Sequence, residues 1–495
     1  MIASYLHHRL WLVVGFAWLA VIQIAHVAAA PPNVLIVYTD DQAAWAVGNA
    51  VTSGQFDDVP AASTPHMDRL AQEGAVLRNF FCVTPVCSPA RAAWMTGRYA
   101  SEFGIDDFIP SPDHRLFDPD HEVALPPDES LTFAEVLQQN GYRTGLVGKW
   151  HLGDWTAPGH EQFHPRHHGF DYFMGLTSGG TTPSNPMLEE NGKVNQFEGL
   201  TTDLLTNRAL EFLDRQSSDS PFLLCVHTRA PHGAWLPVAK EDWLPYAQLD
   251  PAIPNPDYPD LNIAKVKRQM REYLASTTGV DRNLGRILDR LDERKFADNT
   301  IVIFSSDHGY NMGHNGIWHK GNGIWATNKP PQNVHQGTKV ISQKYRPNLY
   351  DHSLRTPAIV RWPGVVKENT VIDQTVTSLD LWPTILEMAK VDPPSDSLHH
   401  GRSFVTLLKG NVPADWKQNM LAEYNMINYA EADLVAYRTP DYKLIRDRKN
   451  VGRDEFYDLR NDPDETRNLI DSPDAEIKDA IQRLDRQLQH ALSNR

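Results

Sequence analysis

The sequence predicts an α/β fold: a large mixed, mostly parallel sheet flanked by helices, followed by a smaller C-terminal antiparallel sheet plus helix. Three observations carry this. Continuous apolar runs, among them residues 33–39, 222–228 and 299–306, have the unalternating pattern of strands buried on both faces. Helical spacing appears between such runs, as in Leu274, Val280, Leu284, Ile287 and Leu291. After Pro393-Pro394-Ser395 the pattern changes. Residues 420–424, 434–438 and 442–446 alternate in the manner of antiparallel strands, and an amphipathic helix begins at about Ala475. A chain of 495 residues exceeds one minimal domain, and its divisions read as 1–30, 31–392 and 393–495.

Residues 1–30 differ from the rest. His7, His8 and Arg9 precede an apolar run over 10–24, which ends in Ala28-Ala29-Ala30 before Pro31-Pro32. This pattern is a signal peptide with an A-x-A cleavage site, so export to the periplasm or the medium is expected. The other reading is an uncleaved anchor, because the run approaches the roughly 18 residues of a spanning helix. Without Arg9 the chain carries 46 basic against 62 acidic side chains, a formal charge of −16. A surface that acidic is a poor partner for nucleic acid or, after cleavage, for an anionic membrane. An anionic substrate would have to be held by a local cluster of cations. Cys82, Cys87 and Cys225 are too few for a disulfide scaffold. Should Cys87 be consumed by modification, Cys82 and Cys225 could pair, although Cys225 reads equally well as core.

Taken in order, the first strand closes on Asp40-Asp41, carboxylates at the end where open α/β sheets place their sites. Ser63-Thr64-Pro65 opens a helix through Met67, Leu70 and Ala71, and residues 75–82 read as a strand delivering the chain to Cys87. A helix from Ser88 through Trp94 puts Cys87 at its N-terminus, where the dipole favours negative charge. Residues 131–139 suggest a helix and 142–147 a strand that leads into Gly-Lys-Trp-His-Leu-Gly at 148–153. Lys149 and His151 are two apart, so on an extended segment both point to one side. The strand at 222–228 runs into Ala-Pro-His with His232, and the strand at 299–306 into Asp307-His308-Gly309, followed by Lys320. Three carboxylates suit a hard cation, which takes roughly six to eight oxygens. Two lysines and Arg91 suit an anion, and the histidines suit proton transfer.

Cys87, Pro89 and Arg91 form C-x-P-x-R, and Thr-Gly-Arg follows at 96–98. This pattern resembles the signature of the formylglycine-dependent (type I) sulfatases of the alkaline-phosphatase-like superfamily. The Asp pair, Gly-Lys-Trp-His, Ala-Pro-His, and Asp-His-Gly with its following Lys stand in the family's order. With the segment 455–469 they span residues 33 to 469.

The resemblance implies that a formylglycine-generating enzyme oxidises Cys87 during maturation to an aldehyde, whose hydrate attacks sulfur and later expels sulfate. It further implies one divalent cation, calcium, bound by Asp40, Asp41, Asp307, His308 and the residue-87 side chain. His308 stands where the commoner pattern has Asn. Lys149 and Lys320 are assigned to the sulfate oxygens, His151 to proton chemistry at the diol, and His232 to protonating the leaving alcohol. Arg91 would bridge the diol and a metal-bound carboxylate. The expected activity is removal of sulfate from a sulfated oligosaccharide or a small aryl-type ester. His319, Trp318 and Trp325 either shape the sugar pocket or belong to the core. The choice of sulfated alcohol falls to loops such as 178–192 and 327–343.

Two other readings stay open. A phosphonate or phosphate monoester hydrolase of the same superfamily predicts the same fold, and a secreted carbohydrate-binding protein predicts an unaltered thiol at Cys87. The sulfatase reading requires all the named side chains to converge around one cation.

Overall fold

Residues 33–39 form the strand on which the large sheet is built, and each of its side chains is buried. Alternate residues enter two different cores. Val34, Ile36 and Tyr38 face one side with Leu223, Cys225, Ile301 and Ile303. Leu35 and Val37 face the other side with Leu224, Val226, Val302 and Phe304. Burial on both faces explains the absence of alternation in these runs, and each such side chain contributes about 1.5–3 kcal/mol on leaving water.

The computed structural model describes residues 30–495 apart from 49–54, 57–58, 119–121, 332–333, 336–337 and 342–343. The expected signal segment, and part of the loop 327–343, lie outside the described residues. Residues 32–495 make one contact-dense unit. No helix among the described residues is long and apolar enough to cross a membrane.

The sheet has ten strands, in the order Thr370–Ile372, Ala75–Leu77, Ala358–Arg361, Thr300–Ser306, Asn33–Thr39, Phe222–His227, Arg143–Lys149, Tyr172–Leu176, Met187–Glu190 and Lys193–Gln196. The five strands from Thr300–Ser306 to Tyr172–Leu176 run parallel, and their neighbours on either side run antiparallel to them. Helices Cys87–Thr96, Phe133–Gln139 and Leu381–Ala389 cover one face, through Trp94, Phe133 and Trp382 among others. Helices Pro65–Gln72, Thr201–Asp214 and the 31-residue Ile263–Glu293 cover the other. The long helix starts where Asn262 accepts from Lys265 N at 3.0 Å, an N-cap that satisfies one orphan donor.

A separate antiparallel sheet follows, ordered Met420–Met426, Ala432–Arg438, Tyr442–Asp447 and Glu455–Asp458. Helix Ala475–Ser493 packs on it through Ala480, Leu484 and Leu488.

Several local expectations differ from the structure. Residues 75–82 are not one strand. Ala75–Leu77 joins the large sheet, the chain turns at Arg78-Asn79, and Phe80–Phe81 pairs with Val376–Thr377. The helix expected from 131 starts at Phe133, because Thr132 is its N-cap in a reciprocal pair with Glu135. Cys82 and Cys225 are free, buried thiols and not a bridge. Trp325 is core, 4% exposed with its indole beside the Arg346 guanidinium. Half-buried Trp318 packs edge-on to Trp235.

Candidate active site

The site is assembled where the parallel strands end. Thr39 is level with Ser306, so Asp40 and Asp307 leave the sheet side by side. Tyr38 and Gly148 both pair with His227, which sets Lys149 one step beyond. Asp41 adopts a left-handed conformation (φ 66°), turning its backbone N–H onto Asp307 Oδ1 at 3.1 Å. A non-glycine residue there is uncommon and costs local strain, and Asp is among the residues that tolerate it best. Cys87 is the first residue of its helix and is 5% exposed. The helix ends at Gly97, whose φ of 68° suits a residue without a Cβ.

These elements bring the predicted residues together. Lys149 Nζ lies 2.6 Å from Asp40 Oδ2, and Lys320 Nζ lies 2.6 Å from Asp41 Oδ1. Lys320 Nζ is also 3.4 Å from Cys87 Sγ and 3.2 Å from His308 Nε2. His308 Nε2 is 3.2 Å from Asp41 Oδ1 and 3.4 Å from Asp307 Oδ1. Arg91 donates from Nε and Nη2 to Asp307 Oδ2 at 3.2 and 3.0 Å, and from Nη1 to the Lys149 carbonyl at 3.1 Å. His232 is the most open member, with a 27% exposed side chain and Nε2 3.9 Å from Asp41 Oδ2. Its Nδ1 lies 2.7 Å from the Gly233 carbonyl and donates to it, leaving Nε2 toward the site.

Burial pushes Asp40 up, but the ammonium of Lys149 and further cations outweigh it and hold the carboxyl well below its usual range. Burial also raises the Cys87 thiol. Lys149, Lys320 and hydrogen bonds from His151 and His308 more than offset that, holding the thiol well down. For His151, burial and then Lys149 depress the imidazole. For Lys320, burial works against the charge, and Asp41 and Cys87 overcome it and raise the ammonium.

One oxygen of each leading carboxylate, Asp40 Oδ1 and Asp41 Oδ2, is buried without a hydrogen-bond partner among the described residues. An unpartnered buried carboxylate oxygen carries a large desolvation cost, so this pair points to a ligand. Asp40, Cys87, Asp307 and His308 place ligand atoms within 4.8 Å of one another, as do Asp40, Asp41 and His232. The three carboxylates among them suit a hard divalent cation, with His308 and the residue-87 side chain beside them.

Two features were not read from the sequence. His151 reaches Cys87 by a different geometry from the extended segment expected: its φ is 60°, and the turn, not strand alternation, carries the ring inward. Its Nε2 is tied to the Ile109 carbonyl at 2.9 Å. His227, the last residue of its strand, was missed. Its Nδ1 sits 3.1 Å from the Lys149 carbonyl and 3.5 Å from Arg91 Nη1, and burial followed by the Arg91 charge holds it well down. A polar ring ending a wholly apolar run was the available signal.

The comparisons with known proteins agree with this geometry. The family model described as Sulfatase matches residues 32–391, and that described as N-sulphoglucosamine sulphohydrolase, C-terminal, matches residues 345–494. The N-acetylgalactosamine-6-sulfatase of Homo sapiens is 30% identical, covering 78% of this chain and 67% of its own length. The N-acetylglucosamine-6-O-sulfatase of Bacteroides thetaiotaomicron is 26% identical over 89% of this chain and 82% of that protein. A solved structure, in complex with its substrate D-glucosamine-2-N,6-O-disulfate, shares the fold with a TM-score of 0.72 and 24% identity, over 94% of this chain and 98% of that one. With the Sulfatase model matching most of its length, the chain belongs to the type I sulfatases of the alkaline-phosphatase-like superfamily, as a sulfuric ester hydrolase.

Proposed function

We propose that the protein removes sulfate from a sulfated carbohydrate, using a formylglycine made from Cys87 beside one bound calcium ion. The observation that carries this is the meeting of Cys87, two lysines and two unpartnered carboxylate oxygens at one helix N-terminus. A formylglycine hydrate would supply the attacking hydroxyl and a second hydroxyl for sulfate release, and the cation would supply charge stabilisation at the sulfate oxygens. Asp40, Asp41, Asp307 and His308 would hold that cation with the residue-87 side chain.

The remaining work falls to the chain's own side chains. Lys149 and Lys320, anchored at 2.6 Å on Asp40 and Asp41, present fixed positive charge to a sulfate group. Arg91 acts through Asp307, which it grips by two nitrogens and so orients. His151, beside Cys87, is placed to take a proton from the residue-87 side chain. His232 faces the site by Nε2 and is the most exposed of the set, which suits it to protonate a departing sugar oxygen. The amino-sugar sulfatases among the relatives support a sulfated oligosaccharide as substrate. Maturation would require a formylglycine-generating enzyme, and the leader-like first 30 residues support export to the periplasm or medium.

The deciding experiment is peptide mass spectrometry of the protein from its native host, together with turnover of an aryl sulfate and of sulfated amino sugars. Conversion lowers the mass of the Cys87 peptide by about 18 Da. An intact thiol in active protein removes the formylglycine. Preferential hydrolysis of phosphate or phosphonate esters removes the sulfate assignment.

A further inference from the structure

At the far end of the helix that begins with Cys87, the surface changes character. That helix has ten residues, roughly 15 Å of rise, and Tyr99, just beyond it, lines a groove of about 770 Å³. The opposite wall is the terminal helix Ala475–Ser493. The groove is lined by five Arg or Lys side chains and a single carboxylate, Asp380. On a chain with 62 acidic and 47 basic side chains, that reverses the average balance.

Arg495 is spent on Glu423, 2.5 Å away, but the other four cations are not held by buried partners. Arg402 pairs with Asp415 at 3.0 Å, but that carboxylate is 79% exposed, and such surface pairs contribute little. Lys417, Arg483 and Arg486 are exposed, and among the described residues none has a carboxylate within ion-pair distance. Arg483, Arg486 and His490 fall at i, i+3 and i+7, one face of the terminal helix. They repeat about every 5 Å, the scale of one sugar ring. Between the charges stand neutral groups: Asn419, and Gln487, whose Oε1 is buried without a hydrogen-bond partner among the described residues. A sugar hydroxyl is the kind of donor that would satisfy it.

We propose that this groove is a second, non-catalytic binding site for a sulfated polysaccharide chain, holding polymer at a distance from the ester being cleaved. The inference rests on the sulfatase reading for its choice of polyanion. Spaced sulfates match spaced guanidinium groups, and hydroxyls match the interleaved amides. The groove raises the local concentration of polymer without touching the reacting atoms.

The test uses the full-length protein carrying Lys417→Gln, Arg483→Gln and Arg486→Gln, and a control carrying Arg166→Gln, Lys193→Gln and Lys367→Gln, three exposed cations elsewhere. Dextran sulfate is the probe for binding, single-stranded DNA the competing polyanion, and 4-nitrocatechol sulfate the small ester. The groove variant should bind dextran sulfate about tenfold more weakly, with its slope of log affinity against log salt reduced by about two to three. Its turnover of the small ester should match wild type, and the control should bind dextran sulfate as wild type does. Equal weakening in both variants, no weakening in the groove variant, or wild-type binding of DNA as tight as that of dextran sulfate would each overturn the proposal. Failure to hydrolyse the small ester would instead count against the sulfatase mechanism and leave the binding comparison intact.

Discussion

Two clusters of buried charge in this molecule use the same residue types in opposite ways. Where the small sheet meets the short helix Asp351–Leu354, Asp351 is gripped by Arg438 at 2.9 Å, Lys443 at 2.6 Å and Arg355 at 3.0 Å. Lys443 in turn reaches Glu465 at 2.6 Å and donates to the Leu349 carbonyl at 2.9 Å. Burial raises Asp351, but Arg438, Lys443 and Arg355 prevail and hold it well below its usual range. That cluster closes on itself. The cluster at the strand ends has at least as many charges in as dry a place, yet Asp40 and Asp41 each keep one oxygen without a hydrogen-bond partner among the described residues. Closure marks a structural joint, whereas open valence marks a place prepared for something not supplied by the chain.

The sharpest way to separate the two is to remove one member of each. Cys87→Ala should lower turnover of an aryl sulfate by about 10⁵-fold or more, while thermal unfolding stays within a degree or so of wild type. Substantial residual turnover would take residue 87 out of the nucleophile role. Lys443→Met should do the reverse, costing about 3–5 kcal/mol in urea unfolding because it strands Asp351 and Glu465, with the folded fraction still fully active. If stability is unchanged, the joint is not what holds the small sheet in place.

Cation loading gives a smaller effect. Calcium added to chelator-treated protein at a hundred times its dissociation constant should stabilise it by about 2.7 kcal/mol. Asp40→Asn should abolish that shift and Lys443→Met should not. A pH-dependent effect concerns Asp281, a buried carboxylate with no ion-pair partner among the described residues. Among the described residues it accepts from the backbone of Met67 and His66, and burial pushes it up to about 7. Because its folded value lies above the unfolded one, its contribution is fully present at low pH. It is lost as pH rises from about 4 to about 7, by up to about 4 kcal/mol. Asp281→Asn should flatten that part of the stability profile.

The central strands, the terminal helix and most of the site were legible because each is written locally. Apolar runs ending in Asp40-Asp41 or Asp307-His308 declare both a buried strand and its functional end. Less legible was whatever depends on backbone turns or distant partners. The inward reach of His151 comes from a left-handed residue, for which nothing in Trp-His-Leu asks. The break at Arg78-Asn79 depends on which sheet each half can join. Trp325 reads alike as platform or core until Leu349 and Arg346 pack around it. Asp351, Lys443 and Glu465 lie far apart in sequence, so no spacing could announce their joint.

The near-complete enclosure of Cys87, 5% exposed with its sulfur 3.4 Å from the Lys320 ammonium, sets a kinetic constraint. Any macromolecular catalyst acting on that sulfur must reach it on the nascent or translocating polypeptide, before the sheet closes. If Cys87 is converted as proposed, folding and maturation compete for one short interval. On that reading, a host that folds the chain faster than it modifies it would accumulate well-formed, inert protein, indistinguishable from active enzyme by its melting curve.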